Sequence, residues 1–277
     1  MKKLLVPTDF SDTSKNAALF AVQMAADIQN ARIILIHVSD KIAGGSDGSP
    51  LTEDDDDRRT ILGDALTQLK EELLATAKVQ VPVDFDIEKG SSLVETLTRY
   101  VRHQAIDLVI MGITGATRLE QIFMGSNTLD MAKESVCPVL IIPPDAQYRK
   151  IKNVVLASDF KDVDVTIPEA PLKATLDLFK PNLHIVNVDS EHYVELTDDY
   201  KAERRKLETM LQGYAPEFYF IRQYDFFDAI SQFVDDKNID LLVIVPRERS
   251  FLTGFFKTSH TKKLAYHSHI PIVAIRQ

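Results

Sequence analysis

Residues Lys2-Lys3-Leu4-Leu5-Val6-Pro7-Thr8-Asp9-Phe10 return 150 positions later as Lys152-Asn153-Val154-Val155-Leu156-Ala157-Ser158-Asp159-Phe160. His37-Val38 is answered at the same offset by Asn187-Val188. Further along the offset falls to 133: Ile106-Asp107-Leu108-Val109-Ile110 is answered by Ile239-Asp240-Leu241-Leu242-Val243, and Cys137-Pro138-Val139-Leu140-Ile141-Ile142 by Ile270-Pro271-Ile272-Val273-Ala274-Ile275. The chain therefore holds one fold twice, with 17 residues fewer between the second and fourth strands of the second copy. A length of 277 residues suits two domains, each able to bury its own core. The expected boundaries are 1–145 and 150–277.

The first copy shows what that fold is. Lys3 to Asp9 reads as a short apolar strand ending in a turn, and Ser11-Asp12-Thr13-Ser14 offers several helix N-caps. Ala17, Ala18, Phe20, Ala21, Met24, Ala25 and Ile28 then recur at helical spacing. Ala31 to Val38 is apolar throughout, as in a strand covered on both faces. The loop at 39–52 is followed by the acidic run Glu53 to Asp57, which suits the first turn of a helix continuing through Leu73. Val79 to Ile87 alternates as a third strand, Ser91 to about His103 reads as a helix, and the strand at 106–111 comes next. A helix over 127–134 and the strand Pro138 to Ile142 complete the unit. Strands alternating with helices predict an α/β fold: two tandem, doubly wound, Rossmann-like domains, each with a parallel sheet flanked by helices. Ligands of such sheets lie outside the carboxyl ends of the strands, at the point where strand order reverses.

The candidate site follows from the stretch Met111 to Thr128. Gly112 and Gly115 come directly after a buried strand, and Gly125-Ser126-Asn127-Thr128 opens the next helix. Spaced glycines let backbone N–H groups approach an anion, and a helix N-terminus adds unpaired donors and a positive dipole end. At the offset of 133, Val245, Glu248 and Thr258 replace all three glycines, so the second copy is not expected to hold a phosphate in this way. Neither a Walker P-loop nor a Gly-x-Gly-x-x-Gly dinucleotide motif is present.

Pro7-Thr8-Asp9, His37-Val38 and Gly-x₂-Gly-x₉-Gly-Ser at 112–126 together resemble the ATP-binding branch of the universal stress protein family, over nearly the whole chain in a tandem form. The resemblance implies five parallel strands per domain. It implies ATP, with or without Mg²⁺, with adenine near Thr8, Val38 and Met111 and ribose near Asp9 and Gly112. The phosphates would lie on Gly115, Gly125, Ser126, Asn127 and Thr128, and Pro7 and Thr114 complete the candidate contacts. Members of the family pair through their last strands, which implies that the two domains form a pseudo-dimer within the chain; a homodimer stays open. Two plainer readings stand beside this one: Gly112 and Gly115 as tight-turn residues, and Asp9 as a cap for the following helix.

Other features set bounds. Residues 1–145 hold 14 Lys/Arg against 22 Asp/Glu, a net −8 out of the chain's −9, which argues against a nucleic-acid surface. No apolar run nears the ~18 to 20 residues of a membrane helix, and the first apolar stretch stops at Pro7, too soon for a signal peptide. A single cysteine, Cys137, allows no intrachain disulfide and is expected to be inert core, so the expected compartment is the cytoplasm. His260, His267 and His269 have weak metal-ligand spacing. Arg247 to Lys263, basic and aromatic, suits an interface. Fast phosphoryl transfer needs a positioned cation, a metal-binding carboxylate and a water-orienting group, but only Arg118 adds a cation near the motif. A binding and sensing module in a stress response is expected, with slow ATP hydrolysis at most; a nucleotide-independent scaffold is the rival reading.

Overall fold

The computed structural model describes residues 1–39, 53–113, 126–189, 197–223, 225–246 and 270–276. Among these residues ten strands form one sheet. In the first half these are β1 (Lys2–Pro7), β2 (Ala31–Ser39), β3 (Val83–Lys89), β4 (Leu108–Gly112) and β5 (Val139–Ile142), joined by α1 (Asp12–Asp27), α2 (Glu53–Ala77), α3 (Leu93–Gln104) and α4 (Ser126–Glu134). The second half has β6 (Asn153–Ala157), α5 (Val163–Thr166), α6 (Glu169–Phe179), β7 (Asn182–Asp189), α7 (Asp198–Met210), β8 (Glu217–Arg222), α8 (Phe226–Lys237), β9 (Leu241–Ile244) and β10 (Ile272–Ala274). The order across the sheet is β3-β2-β1-β4-β5-β10-β9-β6-β7-β8. Each half is parallel within itself, and the two meet through one antiparallel ladder, Ile272 opposite Ile141, Val273 opposite Leu140 and Ala274 opposite Val139. The α/β class, the two doubly wound units and their pairing through the last strands are as the repeat and the resemblance led one to expect.

The apolar runs make these strands because both faces are covered. Leu4, Val6, Ile33 and Leu35 lie on one side with Ala17, Ala21 and Met24 of α1, and Leu5, Ile36 and Val109 lie on the other with Leu97 and Val101 of α3. Ser11 caps α1 by accepting the Ser14 N–H, and Ser92 caps α3 by accepting the Glu95 N–H. The third strand starts at Val83 rather than Val79. Pro82 has no N–H to offer a ladder, and its carbonyl accepts from Ile33 N at 2.9 Å, which begins the pairing. In the second half the counterpart of α1 is broken in two at Ile167-Pro168. The counterpart of α2 is α7, 13 residues against 25, which accounts for most of the 17 missing residues.

The repeated Ile-Asp-Leu motif has a structural purpose. Asp107 accepts the Lys3 N–H at 2.8 Å, and Asp240 accepts the N–H groups of Lys152 and Asn153 at 2.8 and 2.9 Å. Both carboxylates thus satisfy donors where the first strand of their half begins, before its ladder can. The Lys2–Asp107 ion pair at 3.1 Å is half-buried at the sheet edge and adds little beyond this. Asp107→Ala should cost about 1–2 kcal/mol, chiefly the orphaned strand donor, measured as a lower urea midpoint. An unchanged midpoint would mean water takes over the carboxylate's place.

Candidate functional site

Strand order in the first half reverses on either side of β1: β2 lies on one flank and β4 on the other. Because the strands run parallel, the carboxyl ends of β1, β2 and β4 open on one edge of the sheet. Thr8 and Asp9 leave β1 there, Val38 lies near the end of β2, and Met111-Gly112 closes β4. The hydroxyl of Thr128 donates to the Gly112 carbonyl at 3.0 Å, which brings the first turn of α4 to the same edge. Ser126 and Asn127 open that turn, and Asn127 is exposed. Orphan N–H groups and the positive end of the helix dipole therefore stand beside β4. Pro7 and Met111 are buried in the floor, Val38 is half-buried, and Thr8 is 5% exposed. Thr114, Gly115 and Gly125 lie outside the described residues, as do Arg118, Glu248, Thr258, the basic segment 247–263, the three histidines and the loop at 40–52. Among the described residues no cluster of metal-ligating side chains occurs.

The turn after β1 is tightly built. The Thr8 N–H continues the ladder to Ile36 O at 2.9 Å, and its hydroxyl accepts the Phe10 N–H at 3.0 Å and lies 3.1 Å from the Ser14 hydroxyl. Phe10 has φ 64°, in the left-handed region. Asp9 is exposed, and its carboxylate accepts both the Ser11 N–H at 3.0 Å and the Ser11 hydroxyl at 2.5 Å. Partial desolvation pushes its pKa up, but the hydrogen bonds from Ser11 and Ser14 outweigh that, and the carboxyl ends below its ordinary range. It is an ionised acceptor at neutral pH, suited to hydroxyl donors. Asp9 does not cap α1 itself; Ser11 does, and Asp9 closes an Asx turn one step earlier.

Gly112 carries a second constraint that spacing alone does not reveal. A Cβ there would stand 2.5 Å from the Thr13 carbonyl oxygen and 3.0 Å from its carbon, because the first turn of α1 rests on the end of β4. Cys137, partly buried against the core beside Ser135, has its thiol pushed up to about 11, chiefly by desolvation, so it is an inert side chain at neutral pH. Among the described residues, no helix is long and apolar enough to cross a membrane.

Comparison with known proteins follows the same lines as the repeat. The model of the Universal stress protein family matches residues 1–143 and 172–276. A universal stress protein of Methanocaldococcus jannaschii is 27% identical over 148 residues, covering 51% of this chain and 81% of that protein. A second from the same organism is 29% identical over 160 residues, covering 51% and 94%. The crystal structure of a universal stress protein from Archaeoglobus fulgidus superposes with a TM-score of 0.68 over 99% of this chain and 98% of its own, at 18% identity, which speaks to the fold. This chain belongs to the universal stress protein family, with two copies of the family's domain in tandem.

Proposed function

We propose that the chain is an adenine-nucleotide-binding stress or signalling module that takes one ATP, with or without Mg²⁺, in the crevice of residues 1–145. Residues 150–277 serve as its degenerate partner domain. The observation that carries this reading is the convergence, at one switch point, of the ionised Asp9, the half-buried Val38, the end of β4 at Gly112 and the N-terminus of α4 at Ser126-Asn127. Asp9 would accept ribose hydroxyls, Thr8, Val38 and Met111 would border the base, and Pro7 would shape the floor. Gly115, Gly125, Ser126, Asn127 and Thr128 would face the phosphates beside Thr114. Nucleotide occupancy would then alter the surface offered to a partner.

A thermal shift tests it. ATP at about 100 times its dissociation constant adds about 2.7 kcal/mol to stability, so the wild type should melt several degrees higher with ATP while Gly115→Glu does not respond. Mass spectrometry of nucleotide released on denaturation is the companion measurement. No shift and no released nucleotide in the wild type would refute the reading. A nucleotide-independent scaffold is favoured by one specific fact: Gly112, Thr128 and the Asp9 carboxylate each already have a structural contact within the protein. Partner binding and oligomeric state that are unchanged in Gly115→Glu would support that alternative.

A further inference from the structure

The turn that presents Asp9 is locked from the neighbouring strand. His37 Nδ1 lies 2.8 Å from the Thr8 carbonyl oxygen. A carbonyl only accepts, so Nδ1 carries the proton and donates. The His37 ring also lies 5.2 Å from the ring of Phe10, the residue held at positive φ. The second half reproduces the arrangement with different chemistry. Asn187 Nδ2 donates to the Ser158 carbonyl at 2.9 Å, the Phe160 N–H donates to the Ser158 hydroxyl at 3.2 Å, and Lys161 N–H donates to Asp159 Oδ1 at 3.2 Å. Ser158 N–H continues the ladder to Val186 O at 3.0 Å, and Phe160 has φ 49°. The pinned carbonyl, the phenylalanine N–H bonded to the preceding hydroxyl, the Asx turn and the left-handed phenylalanine thus recur, although the second half lacks all three glycines of the phosphate segment and holds Lys161 and Asp164 where the first has Ser11 and Ser14.

We infer that His37 and Asn187 are positioning residues: a side-chain N–H at the end of the second strand pins the carbonyl that ends the first, and so fixes the strained turn and its aspartate before any ligand arrives. Persistence of the lock in the second half separates it from nucleotide contact as such. The strained phenylalanine is the reason a lock is needed, since a left-handed φ in a bulky residue persists only where its surroundings over-determine it. The two halves hold that ring differently. Phe160 is 2% exposed and packs against Tyr200, Phe218 and Phe220, so the short amide of Asn187 suffices; Phe10 is half-buried and rests on the imidazole of His37.

For nucleotide affinity the inference rests on the ATP reading above; for the turn itself it does not. Amide hydrogen exchange in nucleotide-free protein gives the independent readout. In His37→Ala, exchange at Phe10 and Ser11 should accelerate about tenfold, the equivalent of one lost hydrogen bond, with ATP affinity falling by a similar factor. His37→Asn, which installs the second half's own solution, should keep both within about threefold of the wild type. Asn187→Ala should accelerate exchange at Phe160 and Lys161 and leave ATP affinity unchanged, and it covers the case in which His37→Ala fails to fold. If the alanine variants leave exchange unaltered, or asparagine fails to rescue, the lock is refuted. If exchange responds as described but the wild type takes no ATP, the nucleotide reading alone fails.

Discussion

Gly112→Ala is expected to destabilise the protein by about 1–3 kcal/mol, the usual cost of forcing one extra methyl into packed surroundings. It should appear as a lower urea midpoint at unchanged slope. The added Cβ would stand 2.5 Å from the Thr13 carbonyl oxygen, and the obstacle is backbone in the first turn of α1 rather than the tip of a side chain. Relief requires the helix start to move off β4, and that start carries the Ser11 cap and the Ser14 hydroxyl against Thr8. The variant should therefore lose stability without nucleotide present. Full stability together with lost ATP binding would show that the glycine serves the ligand alone.

The second half shows how a side chain is accommodated at the same place. Val245 replaces Gly112, and the residues answering Thr13, Ala17 and Ala18 are Val163, Ile167 and Pro168. The helix is broken at Pro168 into α5 and α6, and Val245 packs against the core that contains Val163 and Ile167. Loss of the glycine, the larger Ile167 in place of Ala17 and the break in the helix at that residue therefore fall together at one contact. On this view the departure of the second half from the phosphate motif begins in its first helix.

The strands, their pairing and the doubled architecture were legible because an apolar run between two turn signals has few alternatives once it is repeated. The direction of the chain at the site was legible too: Asp9, Val38 and Gly112 end three strands, and parallel strands end on one edge. Tertiary meaning at single residues was not. His37 read only as part of a His-Val motif, since a hydrogen bond spanning 29 residues leaves no local trace; the signal that could have exposed it was Asn187 at the matching position. Asp107 and Asp240 were visible as a repeat, but their function as acceptors for strand donors needed the neighbouring strand. Thr128 read as a phosphate contact, whereas its described bond is to the Gly112 carbonyl, because a helix N-terminus offers a hydroxyl more than one acceptor.

Val273→Asp should be the more destructive of the two substitutions, costing more than about 4 kcal/mol, the range reserved for an unpaired charge in a packed interior. Val273 is fully buried at the centre of β10, a strand of only three residues, with Leu140 of β5 opposite on one side and Val243 of β9 on the other. Among the described residues that short strand carries the ladder between the halves. Ile272 and Ala274 on its other face are buried with Val139 and Ile141, so the seam is dry on both sides. A carboxylate there has neither water nor a partner, and it either protonates or pulls the ladder apart. Separation would expose β5 and β10 as apolar sheet edges, the kind that recruit other chains. Val273→Ala supplies the control, removing two carbons for about 1.5 kcal/mol plus a cavity term without introducing charge. Urea unfolding followed by circular dichroism, with light scattering on the same samples, reads both effects. The aspartate variant should unfold at much lower urea than the alanine variant and scatter more light; equal midpoints for the two would mean that the halves hold together without the β5–β10 seam.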